Sequence, residues 1–130
     1  MTNKEIVETW IKSLDANDFT TIKSLVAHNY QFRNPVTAAP LSADEHLGMM
    51  HIMKGAFDAH HELDMMIEED NHVVVSAKWK GKHIGEFNGV SATGKTIEFY
   101  LIDRFDIVGG KVAKHHIEFN PMHLLGITGS

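Results

Sequence analysis

Two charged side chains two residues apart, Arg104 and Asp106, are the first pair in this sequence able to do chemistry together. On an extended strand they point the same way. Such a pair either fixes the ionised state of a reactive carboxylate or forms a strand-end salt bridge, here beside the Gly109-Gly110 turn; the salt bridge is the more ordinary arrangement. Asp103 falls on the opposite strand face among apolar neighbours, where a carboxylate is either a paired buried charge or part of a site, with a surface pair as the ordinary arrangement. His83 is a further candidate, since histidine is the side chain suited to proton exchange near neutral pH. In a pocket it gives or takes a proton; within a sheet it fixes strand register through a hydrogen bond. His116 and Glu118 share one face of the last predicted strand.

Other candidates point to plainer roles. The adjacent pairs His60-His61 and His115-His116 put neighbouring rings on opposite strand faces, so neither pair can chelate one ion. There is no His-x-His or His-Glu-x-x-His motif, and no metal is expected. Met49, Met50, Met53, Met65 and Met66 suit gap-filling in a core or the wall of a pocket for a flat apolar ligand. Gly94-Lys95 joins two predicted strands instead of opening a helix, so it is not read as a phosphate loop. Neither a serine nucleophile elbow nor a dinucleotide fingerprint is present. Without cysteine, thiolate catalysis, disulfides and thiolate metal sites are excluded. No cofactor is expected.

The composition bounds the partners. Twelve Lys and Arg against seventeen Asp and Glu leave a formal charge of -5, which argues against a basic groove for nucleic acid. The ten histidines would add roughly five positive charges near pH 6.5, bringing the net charge close to zero. At 43% hydrophobic and 22% charged residues the chain reads as globular, not disordered. A chain of 130 residues suits one domain, residues 1–130, and buries roughly two thirds of its extended surface. No apolar run approaches the roughly 18 residues of a membrane span, and Lys4, Glu5 and Glu8 do not fit a signal peptide. A cytoplasmic protein is expected.

These residues must be positioned by two kinds of element. Thr2 with Glu5 and Ser42 with Glu45 form capping boxes, predicting helices that start at those points. The first continues through Ile6, Val7, Trp10 and Leu14; the second through Leu47, Met50, Met53 or Lys54, and Phe57. Asp18 caps a short helix between them, with Phe19, Ile22, Leu25 and Val26 inward, and Tyr30 to Phe32 reads as extended. From about residue 61 the period becomes two: Leu63, Met65 and Ile67, then Val73, Val75, Ala77 and Trp79, continuing through His83 towards Phe87. Residues 96–107 and 111–120 form the last strands, and Leu124-Leu125-Gly126 one helical turn. Helices followed by an antiparallel meander define an α+β fold. The sheet is apolar on both faces, which predicts a homodimer through its outer face.

The stretch from Gly81 to Lys95 (GKHIGEFNGVSATGK) resembles a segment of the SnoaL-like polyketide cyclases. So does the ending Gly110-Lys111-Val112, His115-His116-Ile117-Glu118-Phe119-Asn120 and Leu124-Leu125-Gly126. The resemblance implies the nuclear-transport-factor-2-like fold, a curved sheet wrapped with N-terminal helices into a cone around a pocket, often dimeric. It also implies cofactor-free aldol closure by a pocket Asp on the last strand. The matching position here is Asn120, whose amide cannot exchange a proton near neutral pH; Glu118, two residues earlier, is the candidate replacement. Arg104 and Asp106 also resemble the Arg-x-Asp of limonene-epoxide-hydrolase-like proteins, with Tyr30 and Asn34 available at a different spacing.

The expected site therefore draws catalytic groups from Glu118, Asn120, His83, Arg104 and Asp106. Trp10, Tyr30, Phe32, Met50, Met53, Phe57 and His116 are expected to contact the ligand, a small hydrophobic carbonyl or cyclic molecule. Acid/base chemistry of the cyclase or isomerase type, epoxide-hydrolase-like hydrolysis, and ligand binding without turnover all fit this set.

Overall fold

The structure, a computed structural model, describes residues 1–125, and of Leu125 the backbone alone. Its elements run α1 (Asn3–Asp15), α2 (Phe19–Leu25), β1 (Val26–Arg33), α3 (Ala43–Ala56), β2 (Phe57–Glu69), β3 (His72–His83), β4 (Thr96–Val108), β5 (Lys111–Glu118) and α4 (Met122–Leu125). The sheet order is β1-β5-β4-β3-β2. β1 lies parallel to β5, and the other neighbours are antiparallel. This curved, unclosed sheet with helices against its inner face is the expected α+β cone.

Both capping boxes are present. The Thr2 hydroxyl accepts from the Glu5 N–H while Glu5 accepts from the Thr2 N–H, and Ser42 and Glu45 repeat the exchange. Asp18 accepts from the Thr21 N–H at the start of α2. Each cap satisfies amides that the first helical turn leaves unpaired.

Strand parity decides what faces the core. On β3, Val73, Val75, Ala77 and Trp79 are buried, and on β4, Phe99, Leu101, Asp103, Phe105 and Ile107 are. With Trp10, Ile6 and Val7 of α1 the apolar residues among these form one hydrophobic core.

The structure departs from the sequence reading at several places: Val26 opens β1 instead of closing α2, and β5 ends at Glu118, short of residue 120. β2 begins at Phe57, directly after α3, so Phe57 belongs to the sheet. A bulge between Leu63 and Met65 breaks the expected common face: Leu63 pairs with inward Ala77, whereas Met65 pairs with Ser76. β3 stops at His83, because the chain turns to tie itself to α3, with the Ile84 and Gly85 N–H groups donating to the Ala56 carbonyl. Gly126 lies outside the described residues. Among those residues, no helix is long and apolar enough to cross a membrane.

Candidate functional site

The concave face of the sheet and the helices enclose a cavity of about 350 Å³. Trp79, Phe99, Leu101 and Ile117 form its sheet wall; Met49, Met50 and Met53 of α3 form its helical wall; Phe87 reaches it from the loop after β3. Exposed Val36 and Ile52 stand at its mouth. Into this apolar space come two histidines, His46 from α3 and His61 from β2.

His61 belongs to the inward parity of β2, opposite Trp79. Its backbone N–H donates to Asp15 Oδ2 at 2.8 Å, and its ring Nδ1 lies 2.6 Å from Asp15 Oδ1. Asp15, the last residue of α1, thus binds His61 twice. A carboxylate on Nδ1 requires the proton there, a tautomer inferred from the partner. That leaves Nε2 with its lone pair for the cavity, and Asp15 ready to offset a positive charge on the ring.

His46 is stacked on Phe32, with centroids 3.5 Å apart and planes within 4°. Its Nδ1 lies 2.7 Å from Tyr30 Oη, which is also 3.4 Å from Nδ1 of His115. His115 Nε2 is 2.6 Å from Asp103 Oδ1. All four residues are buried. Burial, assisted by neighbouring His115, holds the His46 pKa well below 6.5. Burial, and then the charge of Asp103, pushes the Tyr30 phenol well above 10.0. Tyr30 therefore keeps its proton and His46 rests neutral.

The expected polar residues stand elsewhere. Arg104 and Asp106 point to the outer face, where Arg104 Nη2 is 3.1 Å from Asp106 Oδ2 and His72 Nδ1 is 2.7 Å from Asp106 Oδ1. Burial raises the Asp106 pKa, but the hydrogen bonds from His72 and Arg104 outweigh it and the net shift is downward. Glu118 shares that outer face and pairs with His116 at 2.8 Å. The reason is parity: Arg104, His116 and Glu118 alternate with residues that face inward. Asn120 lies beyond β5 and accepts from the Met122 N–H at the start of α4. His83 is fully buried, and its Nδ1 accepts from the Thr93 N–H at 3.2 Å, closing the base of the β3–β4 loop. The structure brings none of these five to the cavity wall.

Of the expected ligand contacts, Phe32, Met50 and Met53 line the cavity. Tyr30 and Trp10 lie behind it, Trp10 edge-on to Phe105 and His115. Phe57 packs on Trp79, His83 and Phe87. Asn34 borders the cavity but its amide is engaged with Val36 and Thr37.

Sequence reasoning passed over His46, His61, Asp15 and His115 as site residues. Signals for them exist. His46 is four residues before Met50 and seven before Met53, on one helical face. His61 and His115 sit at inward positions of their strands, as Asp103 does.

The family model of the SnoaL-like polyketide cyclases matches residues 4–126. Among solved structures, AclR from Streptomyces galilaeus, a proposed hydroxylase, superposes with a TM-score of 0.87 at 23% identity, covering 98% of this chain and 95% of that one. IdmH from Streptomyces antibioticus, a proposed polyketide cyclase, gives 0.87 at 19% identity with 100% of both chains covered. An LEH-like epoxide hydrolase from M. tuberculosis gives 0.74 at 11% identity, covering 94% and 85%. No curated protein matches the chain. The match of the family model over nearly the whole chain, on a fold shared with these structures, places the protein in the SnoaL-like polyketide cyclase family.

Proposed function

We propose that the protein is a cofactor-free enzyme of the cyclase or isomerase type, acting on a small apolar carbonyl compound by proton transfer. The observation that carries this reading is the presence of two histidines in one apolar cavity, each held through Nδ1 and each left with Nε2 for a ligand. Family membership supports the same class of small-molecule chemistry.

The chemistry follows from the two settings. His61 takes a proton from the carbon next to the carbonyl, and Asp15 offsets the charge that appears on the ring. The C–H pair becomes the new C=C bond, and the C=O π pair moves to oxygen. His46 meets that oxygen with a proton on Nε2. The apolar walls strengthen both interactions by excluding water. An enol formed in this way closes a ring by attack on a second carbonyl, or returns as an isomer. The hydrolase alternative has no support from the placement of Arg104 and Asp106 on the outer face.

The test is hydrogen–deuterium exchange at the α-carbon of β-tetralone, followed by proton NMR in deuterated buffer. The protein should accelerate exchange, and His61→Gln should slow it by about 10²–10⁴-fold. Binding of the ketone without accelerated exchange would make the protein a carrier and overturn the catalytic reading.

A further inference from the structure

The hydrogen-bonded chain behind His46 continues through Tyr30 and His115 to Asp103, crossing from α3 through β1 and β5 to β4. We propose that these four residues are a proton relay, in which a proton taken up or released at His46 Nε2 in the cavity appears as charge on His115, beside Asp103. The inference rests on the reading of His46 as a cavity group that exchanges protons.

The proton count along the chain allows two closed arrangements. Asp103, as a carboxylate, accepts from His115 Nε2–H in both. Tyr30 Oη carries one proton and faces two nitrogens, His46 Nδ1 at 2.7 Å and His115 Nδ1 at 3.4 Å. In the first arrangement the phenol donates to His115 Nδ1 and accepts from His46 Nδ1–H, so His46 offers a lone pair at Nε2. In the second, His115 Nδ1–H donates to the phenol oxygen, the phenol donates to His46 Nδ1, and His46 carries its proton on Nε2.

The two arrangements differ by one proton. A proton added at His46 Nε2 sends the Nδ1 proton to Tyr30 and the phenol proton to His115. His46 ends neutral in both, with its tautomer reversed, and the single positive charge rests on His115. Donation to a substrate oxygen is the reverse. The 3.4 Å link is the longest in the chain, and transfer requires it to shorten towards ordinary hydrogen-bond length.

The surroundings favour charge at the His115 end. Asp103 of β4 faces it at 2.6 Å, and Phe105 of the same strand stacks on its ring with centroids 4.2 Å apart. Tyr30 faces it from β1 and His46 from α3, while α1 contributes the edge of Trp10. On the outer side, Arg33, Arg104 and Lys114 border a small cleft that His115 and His116 also border, and these three cations oppose the charge. Asp103 is the one of these groups that touches the ring with opposite charge. His46 has no carboxylate partner of its own among the described residues, and burial disfavours its cation. The relay therefore lets a buried histidine exchange protons without itself holding the charge.

The test reads ring nitrogens in the ligand-free protein labelled with ¹⁵N-histidine, assigned with His46→Gln and His115→Gln, across a pH titration. On acidification His115 should become doubly protonated while His46 moves its proton from Nδ1 to Nε2 at the same midpoint. Tyr30→Phe should uncouple the two, leaving the His46 tautomer unchanged as His115 titrates. Asp103→Asn should move the shared midpoint down by about one pH unit or more; it serves also if the Tyr30 variant fails to fold. Double protonation of His46 itself in the wild type, or a His46 tautomer indifferent to His115, would overturn the relay. Because no substrate is present, this result is separate from the β-tetralone exchange that tests the catalytic reading.

Discussion

Asp15 Oδ1 lies 2.6 Å from His61 Nδ1 while Asp15 Oδ2 accepts the His61 backbone N–H, so one carboxylate fixes both the ring and the strand that carries it. The contact joins the last residue of α1 to β2 at the cavity wall. Ring rotation about the Cβ–Cγ bond would break the shorter contact, which keeps Nε2 turned to the ligand space.

That double contact gives the first prediction. Asp15→Asn keeps the shape and an acceptor for the backbone N–H but removes the charge opposite Nδ1. Base strength at His61 should fall, with kcat reduced about tenfold or more and KM little changed, because the lost interaction grows only as the ring becomes charged. The kcat and KM split for whichever carbonyl substrate is turned over measures this; a change in KM alone would show that Asp15 serves binding only.

A second prediction concerns stability and pH. In the unfolded chain His46 titrates near its ordinary value, 6.5, whereas in the folded protein burial and His115 hold it well below. The unfolded state then binds more protons, so stability is fully present above pH 6.5 and declines as pH falls through it towards the folded value. One such group contributes a slope of at most about 1.4 kcal/mol per pH unit. Urea unfolding of the wild type and His46→Gln between pH 8 and pH 5 should show a shallower decline in the variant.

The fold was legible because it depends on local rules. Two capping boxes, the switch to period two and the Gly109-Gly110 turn all act through neighbours in sequence. The site was less legible because it depends on parity and on meetings between distant residues. The sequence offers Asp103 as a buried pair or a site group but favours a surface pair, and its actual partner His115, twelve residues on, stands out only as one of an adjacent pair. Arg104 and Asp106 did meet as i and i+2 neighbours, but on the outer face. Asn120 was placed by resemblance on the last strand; the strand ends at Glu118, and the amide caps the turn into α4. The bulge at Leu63/Met65 leaves no mark in the periodicity, since both flanking residues are apolar.

The loop after β3 offers a third prediction. A Cβ on Gly85 would overlap the Gly55 carbonyl oxygen at the end of α3. Backbone cannot yield as a flexible side chain does, so Gly85→Ala must displace the loop, with a stability loss of about 1–3 kcal/mol. Phe87, two residues on, packs on Phe57 and lines the cavity. Ligand binding should weaken with stability. A Gly89→Ala control, at a φ of 80° with open space around it, strains the turn without reaching α3 and should spare binding.

The final prediction addresses the outer face of the sheet. Met65, Ile67, Val74, Tyr100 and Ile102 are all exposed there, although β-strand surfaces facing water normally carry polar residues. Ser76 of β3 pairs with Met65 of β2 and Ile102 of β4, and Val74 pairs with Ile67, so these apolar side chains share one face across three neighbouring strands. We propose that a second copy of the chain covers it, since a twofold pairing hides the same patch on both partners. The purified protein should sediment as a dimer, and Ile102→Asp should yield a folded monomer with the cavity intact, because Ile102 points away from it. A wild-type protein that sediments as a monomer at tens of micromolar would rule this pairing out and leave the patch to a different partner.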